Sequence, residues 1–281
     1  MSNTVVRLLT GFIGAPLILA IVFFAPFLGY YLLAGTAMTL AAYEFFGMTH
    51  HDDPTGRRLG TALTVLLFSA LVYARFGHDH PTVALWAALL LSPVALFFGL
   101  VRPAHINHAL PRTTALVFGP LYLASTMGAL AVLRTVGTSR EGAGLVVLAL
   151  ATAWGSDTAA YFAGRSIKGP KLFPAVSPNK TWSGALGGLA MAMLSAVVLH
   201  YTILPTLPLG MGVLVAGAAG AAGQMGDLAE SVLKRSAGVK DSGGLLPGHG
   251  GILDRIDALV FTSLVVFGAV ETGLLRFSRG V

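Results

Sequence analysis

Cysteine is absent from the 281 residues, which excludes disulfides and thiolate chemistry and leaves the redox compartment unmarked. Charge is scarce as well. Lys, Arg, Asp and Glu make up 11% of the chain, against about 25% in a typical soluble domain. With a hydrophobic fraction of 55% and a mean hydropathy of +0.77, the shortage of charge excludes an ordinary soluble fold. It implies an all-α, polytopic integral membrane protein. No internal repeat is visible, and no linker sets off a separate soluble domain. The net charge of +6 and pI near 9.8 would suggest nucleic acid in a soluble protein. Here they reflect the loops between spans, and no nucleic-acid partner is expected.

Segments of about 20 apolar residues, enough to cross a hydrocarbon core of about 30 Å, recur near 8–27, 28–48, 59–77, 82–101, 114–133, 143–164, 184–204, 209–226 and 256–275. These predict nine transmembrane helices. The first is long and is followed at once by another, so it is expected to be retained rather than removed as a signal peptide. With the N-terminus inside, 13 of the 18 Lys and Arg fall on the inner side and five, Arg75, Arg134, Arg140, Arg276 and Arg279, on the outer. The bias predicts a cytoplasmic N-terminus and polar loops, with the C-terminus outside. Much of it comes from two late loops. The chain divides into N-terminal transmembrane helices over 1–140 and a C-terminal transmembrane catalytic region over 141–281.

The charge that exists is concentrated. Residues 226–257, GDLAESVLKRSAGVKDSGGLLPGHGGILDRID, hold nine of the 30 Lys, Arg, Asp and Glu, and charge near hydrocarbon must be solvated, paired or bound. A helix over 227–235 puts Asp227, Ser231 and Lys234 on one face, and Glu230 can pair with Lys234 at i and i+4. DSGGLLPGHGG is too rich in Gly and Pro for helix or strand, and reads as an ordered loop whose backbone N–H groups approach a ligand. Asp254 and Asp257, at i and i+3 where the next helix begins, share a face and can converge on a cation. Such carboxylate oxygens suit Mg²⁺, with room for water and phosphate.

A second polar region covers 154–183, WGSDTAAYFAGRSIKGPKLFPAVSPNKTWS. Trp154, Asp157, Tyr161 and Gly164 form one helical stripe. An aspartate this close to a span is a functional candidate, although bonding to a neighbouring helix would also account for it. The stripe ends in Arg165, Lys168 and Lys171, and Ser177, Asn179, Lys180 and Thr181 then offer hydroxyls, an amide and an ammonium of the kind that phosphate binding uses. Lysines touching anionic headgroups are the plainer reading of the same residues. The run of Gly and Ala over 217–223 reads as tight helix packing. His50, His51, Asp52 and Asp53 read as a solvated turn, since consecutive loop positions preset no coordination geometry, and His78, His80, His105 and His108 read the same way.

Residues 231–257 resemble the signature of the phosphatidate cytidylyltransferases, or CDP-diacylglycerol synthases. Its fixed positions are filled by Ser231, Lys234, Arg235, Lys240, Asp241, His249, Gly250, Gly251, Asp254, Arg255 and Asp257. The resemblance extends to GDLAES and to the WxxDxxAY stripe and Ser-Pro-x-Lys-Thr element of 154–181. The first 140 residues resemble the family only in being apolar spans. One departure is Ser183, where family members usually carry Glu after the Lys-Thr-Trp.

The resemblance implies transfer of a cytidylyl group from CTP to phosphatidic acid, giving CDP-diacylglycerol and pyrophosphate. It implies Mg²⁺, with or without a second cation, and a homodimer in the bacterial inner membrane. Asp227, Asp254 and Asp257 are then the expected metal ligands, with Asp157 and Asp241 as weaker candidates. Lys234, Arg235, Lys240 and Arg255 would hold triphosphate or lipid phosphate, beside Ser231. Gly250 and Gly251 would let the loop close, His249 would bind phosphate or pair with an aspartate, and Ser177, Asn179, Lys180 and Thr181 would face the nucleotide from the other side. Loss of one metal aspartate is expected to remove activity and spare the fold. A secondary transporter would instead show a repeat with broken helices near the midplane. A CTP-dependent lipid kinase shares part of this chemistry, and a purely structural membrane protein would have no reason to crowd nine charges around a glycine loop.

Overall fold

The computed structural model describes residues 3–76, 82–102, 107–244 and 250–277, with side chains from residue 12 onward. Among the described residues are nine helices: α1 (Asn3–Phe24), α2 (Phe27–Thr49), α3 (Pro54–Phe76), α4 (Thr82–Leu100), α5 (Ala109–Leu133), α6 (Ser139–Ser166), α7 (Trp182–Thr202), α8 (Leu209–Ser236) and α9 (Leu253–Glu271). Hydrocarbon offers no partner to backbone N–H and C=O groups, and helices satisfy them internally. Six of these, α3 to α8, are long and apolar enough to cross a membrane. In α1 the apolar run among residues with described side chains is Phe12–Phe24. α2 carries Glu44 within its length, and α9 carries Asp254, Arg255, Asp257 and Glu271 toward its ends. The chain is an all-α polytopic integral membrane protein.

Each predicted span corresponds to one helix. α8 runs on without a break from the expected span through the helix read over 227–235 to Ser236, so Asp227, Glu230 and Lys234 stand on its last turns. The expectation placed no strand. A two-stranded antiparallel hairpin, β1 (Lys171–Phe173) and β2 (Ser177–Thr181), nevertheless joins α6 to α7, with Lys171 opposite Thr181. Strands of three and five residues are too short for sequence periodicity to report.

The core is built where α5 and α6 are covered by their neighbours. α5 packs against α2, α3, α4 and α9, while α6 packs against α7, α8 and α9. Leu116, Leu123 and Met127 of α5 and Leu145 and Leu148 of α6 are fully buried. α4 instead exposes Trp86, Leu89, Leu90, Leu96 and Phe97, the surface expected of a helix facing lipid. Hydroxyls tie the helices together: Tyr30 Oη donates to Leu130 O at 2.9 Å, Ser156 Oγ to Gly188 O at 3.0 Å and Ser263 Oγ to Thr126 O at 3.0 Å. The small-residue run packs as expected. A Cβ at Gly220 would lie 2.5 Å from the Ala192 Cβ of α7, and one at Gly226 would lie 2.2 Å from the Phe261 ring of α9. α8 can therefore sit close against both helices.

The turn after α2 corrects an expectation. His51 and Asp52 are exposed, but His50 and Asp53 are 1% and 2% exposed. Asp53 accepts hydrogen bonds from Gly56 N at 3.0 Å and Arg102 Nη1 at 2.8 Å, and Asp52 pairs with Arg112. The turn folds inward because arginines from the next helical pair neutralise it. Burial pushes the His50 imidazole down to about 4, against a smaller upward pull from Asp53. The hydrogen bond from Arg112 holds the Asp52 carboxyl below its ordinary value. His108 is exposed, while His78, His80 and His105 lie outside the described residues.

Candidate active site

Two walls face each other at one end of the bundle. The first is the end of α6 with the hairpin. Trp154 Nε1 donates to the Arg255 carbonyl at 3.5 Å, fastening the polar stripe of α6 to the first turn of α9. Asp157, on the same stripe, lies at the exposed edge and within the electrostatic reach of Asp227, Lys180 and Arg255. Tyr161 Oη accepts from Arg165 at 2.8 Å. Gly169 and Lys168 take positive φ of 112° and 60°, which turns the chain out of α6 and into the hairpin.

β2 then delivers its side chains unequally. Lys180 reaches α8, with its Nζ 2.5 Å from Asp227 Oδ2. Asn179 is exposed and Ser177 half-buried. Thr181 is occupied as the N-cap of α7, where its hydroxyl accepts from Gly184 N at 3.1 Å, an acceptor that the first turn of a helix needs. Ser183 hydrogen-bonds with Thr181 Oγ1 at 3.1 Å and donates to the Lys168 carbonyl, so the residue that departs from the family pattern ties the hairpin shut.

The second wall is the end of α8, the signature loop and the start of α9. Lys234 Nζ lies 2.6 Å from Asp254 Oδ1 and 2.7 Å from Glu230 Oε2. Asp254 is fully engaged: Oδ1 accepts from Lys234, and Oδ2 accepts from Ser242 N at 3.0 Å, Ser242 Oγ at 3.0 Å and Gly251 N at 2.9 Å. A cation at Asp254 would have to displace the ammonium or one of these loop donors. Gly250 adopts φ +77°, a conformation that side-chain-bearing residues rarely take, and so turns the loop into α9.

Carboxylates gather between the walls. Asp257, 9% exposed, lies within the electrostatic reach of Asp227, Glu230 and Asp157, and its Oδ1 accepts from Ala258 N at 2.7 Å. Glu230 is fully buried, with its Oε2 2.7 Å from the Lys234 ammonium. Like charges so placed need compensation. Among the described residues no group of three or more His, Asp or Glu side chains converges into a metal cage. Mg²⁺ is ordinarily held by one or two carboxylates, with water and substrate phosphate completing the shell. The hard oxygen donors of Asp227 and Asp257 suit that mode.

The remaining predicted residues line the outer edge. Arg235, Lys240, Asp241 and Arg255 are exposed, with Arg235 Nη1 donating to Val239 O at 3.2 Å, and Ser231 is half-buried. His249 lies outside the described residues. Sequence reasoning missed Glu44. Its Oε2 accepts from Ser242 Oγ at 3.1 Å and Leu253 N at 2.9 Å, so a residue of the N-terminal half touches both sides of the signature loop. The available signal was a lone carboxylate inside an apolar span. In the sequence Glu230 stands out only as an i, i+4 partner of Lys234.

A family model described as the cytidylyltransferase family matches residues 5–272. A phosphatidate cytidylyltransferase of Pseudomonas aeruginosa is 32% identical over 268 residues, covering 94% of this chain and 95% of that protein. One of Brucella suis is 50% identical over 128 residues, 44% of this chain and 47% of that protein, so the match spans about half the length of that relative. One of Bacillus subtilis is 45% identical over 108 residues, 38% of this chain and 40% of that protein.

Proposed function

Because the chain belongs to the cytidylyltransferase family, we propose that it transfers the cytidylyl group of CTP to phosphatidic acid, giving CDP-diacylglycerol and pyrophosphate. The observation that carries this reading is the meeting of the hairpin and α8 at the Lys180–Asp227 pair. It places phosphate-binding residue types opposite a carboxylate cluster at the end of a membrane bundle. In the reaction an oxygen of the lipid phosphate attacks the α-phosphorus of CTP, the bond from that phosphorus to the bridging oxygen breaks, and pyrophosphate leaves. The nucleophile is already anionic near neutral pH, so no strong general base is required. The demands are charge neutralisation and in-line positioning.

The chain's residues divide that work. Lys180 and Lys234 are held by carboxylates and offset the negative charge of the cluster: Lys180 fixes the hairpin wall against α8, and Lys234 ties α8 to α9 within the second wall. Arg235, Lys240 and Arg255, at the exposed edge, are assigned to triphosphate and the lipid headgroup, and Asn179 and Ser177 of the hairpin to the nucleotide. Asp227 and Asp257 are the carboxylates assigned to Mg²⁺, which when bound would screen phosphate charge and stabilise the departing pyrophosphate. Asp254 is assigned to the loop, because its oxygens already hold Ser242 and Gly251.

The reading places the site on the cytoplasmic face of a bacterial inner membrane, where CTP is available and phosphatidic acid lies in the adjoining leaflet. It includes a homodimer as the assembled state. The direct test is mass spectrometry of the lipid formed from CTP and phosphatidic acid by the purified protein. CDP-diacylglycerol with equimolar pyrophosphate is the expected outcome. With a lipid alcohol such as diacylglycerol or a polyprenol supplied alongside, its phosphorylation with CDP as co-product and no CDP-diacylglycerol would replace this reading with that of a CTP-dependent lipid kinase.

A further inference from the structure

Glu44 sits on α2, near its polar end, and is 3% exposed. Placing a carboxylate there is costly unless donors compensate it. The compensation comes from 198 and 209 residues further along the chain. Oε2 accepts from Ser242 Oγ at 3.1 Å and from Leu253 N at 2.9 Å. These donors lie on either side of residues 245–249, one where the loop leaves α8 and one where α9 begins. The first N–H groups of a helix have no intrahelical acceptor, and the N-cap residue of α9, Ile252, supplies no side-chain cap. Glu44 fills that role from another helix, with its negative charge at the positive end of the α9 dipole.

The loop is shaped around this carboxylate. A Cβ at Gly243 would lie 2.4 Å from Glu44 Oε1, and a Cβ at Gly251 would lie 2.4 Å from Oε2 and 2.1 Å from Ser242 Oγ. Ser242 N donates to Asp254 Oδ2, the single hydroxyl proton of Ser242 lies between Glu44 Oε2 at 3.1 Å and Asp254 Oδ2 at 3.0 Å, and Asp254 in turn receives Lys234. The chain of contacts therefore runs Glu44, Ser242, Asp254, Lys234, from the N-terminal helices into the site.

We propose that Glu44 is a positioning residue for the cytidylyl transfer: its carboxylate clamps the two ends of the signature loop and thereby sets Asp254 and Lys234 in register with the carboxylate cluster. The proposal rests on the reaction assigned above. It assigns to the N-terminal half a part in catalysis that no motif there marks.

The test compares full-length Glu44→Ala, Glu44→Gln and Gly243→Ala, and the double variant, in detergent. Three quantities are read: kcat and KM per folded molecule, thermal midpoint, and amide hydrogen exchange of Ser242, Gly251 and Leu253. Glu44→Ala should lower kcat by about tenfold or more, with a smaller change in KM, and speed exchange at Leu253, whose buried N–H loses its acceptor, and at Ser242 and Gly251, whose amides donate to Asp254 and loosen with the loop. Glu44→Gln keeps an acceptor oxygen of the same reach and should stay within about threefold of the parent, the difference being the lost charge. Gly243→Ala should be damaging in the parent and add little in the Glu44→Ala background, since the clash is with the removed side chain. Unchanged kcat and exchange in Glu44→Ala would overturn the proposal, as would additive losses in the double variant. A lowered thermal midpoint with kcat per folded molecule preserved would also overturn it, by showing that Glu44 serves only the fold. If the parent protein moves no cytidylyl group, the assigned reaction falls and with it the catalytic part of the proposal. In that case unchanged amide exchange would sink the clamp as well.

Discussion

Lys180 on the hairpin and Asp227 on α8 meet across 2.5 Å, and this pair closes the two polar stretches of the chain into one site. Each side chain is about a quarter exposed, so the ammonium is positioned by the carboxylate yet still open to a ligand. Replacing Lys180 with Met leaves Asp157 and Asp227 without the hairpin cation that offsets them and turns the site against a polyphosphate. Steady-state kinetics should show KM for CTP rising by roughly tenfold to a hundredfold, with partial recovery in Lys180→Arg. An unchanged KM would remove Lys180 from the nucleotide's surroundings.

Asp254 and Asp227 should separate in a way that shared metal ligation would not produce. Asp254→Asn loosens Lys234 and the Ser242 and Gly251 amides together, so it should cost about 1–3 kcal/mol of stability as well as activity. Asp227→Asn should reduce turnover with little change in thermal midpoint. Midpoints and rates measured on the two variants side by side decide the matter. Equal stability with equal loss of turnover would return Asp254 to the metal.

Gly226 faces α9 where there is no room for a Cβ. A Cβ there would lie 2.2 Å from the Phe261 ring and 2.8 Å from the Asp257 carbonyl. Gly226→Ala should destabilise the protein by about 1–3 kcal/mol, as overpacking does, and displace Asp257 with loss of activity. A variant with the parent's midpoint and rate would show that α9 moves aside freely.

His50 gives the fold a pH dependence whose sign is fixed by burial. Its pKa in the folded protein is lowered to about 4, below the unfolded value of about 6.5, so between these values the unfolded chain binds the extra proton. Stability should be full above pH 6.5 or so and decline as pH falls toward 4. Thermal midpoints taken from pH 7 to pH 5 should fall further in the parent than in His50→Phe. Parallel declines would assign the effect to other groups.

Much of this arrangement is legible in the sequence because lipid enforces it. Apolar runs of span length announce nine helices, and the charges that break the pattern announce the site. What escapes is what depends on tertiary contact. Glu44 reads as a blemish in an apolar span until the fold brings Ser242 and Leu253 to it. His50 and Asp53 read as solvated until Arg102 and Arg112 return to cover them. Asp254 and Asp257 look equivalent at i and i+3, yet one faces the loop donors and the other the carboxylate cluster, a difference that spacing alone does not encode. The hairpin is too short to carry a period, although Lys180 depends on it to reach Asp227.

Whether the carboxylate cluster supports metal-assisted cytidylyl transfer is decided by following cytidine-labelled CTP into lipid across a Mg²⁺ titration, with the parent and Asp227→Asn compared in detergent with phosphatidic acid. Label should enter lipid with Mg²⁺ and not after chelation. The folded variant should be slower by about a hundredfold or more at saturating Mg²⁺. Transfer that survives chelation, or an Asp227→Asn protein working at the parent's rate, would contradict that role of the cluster.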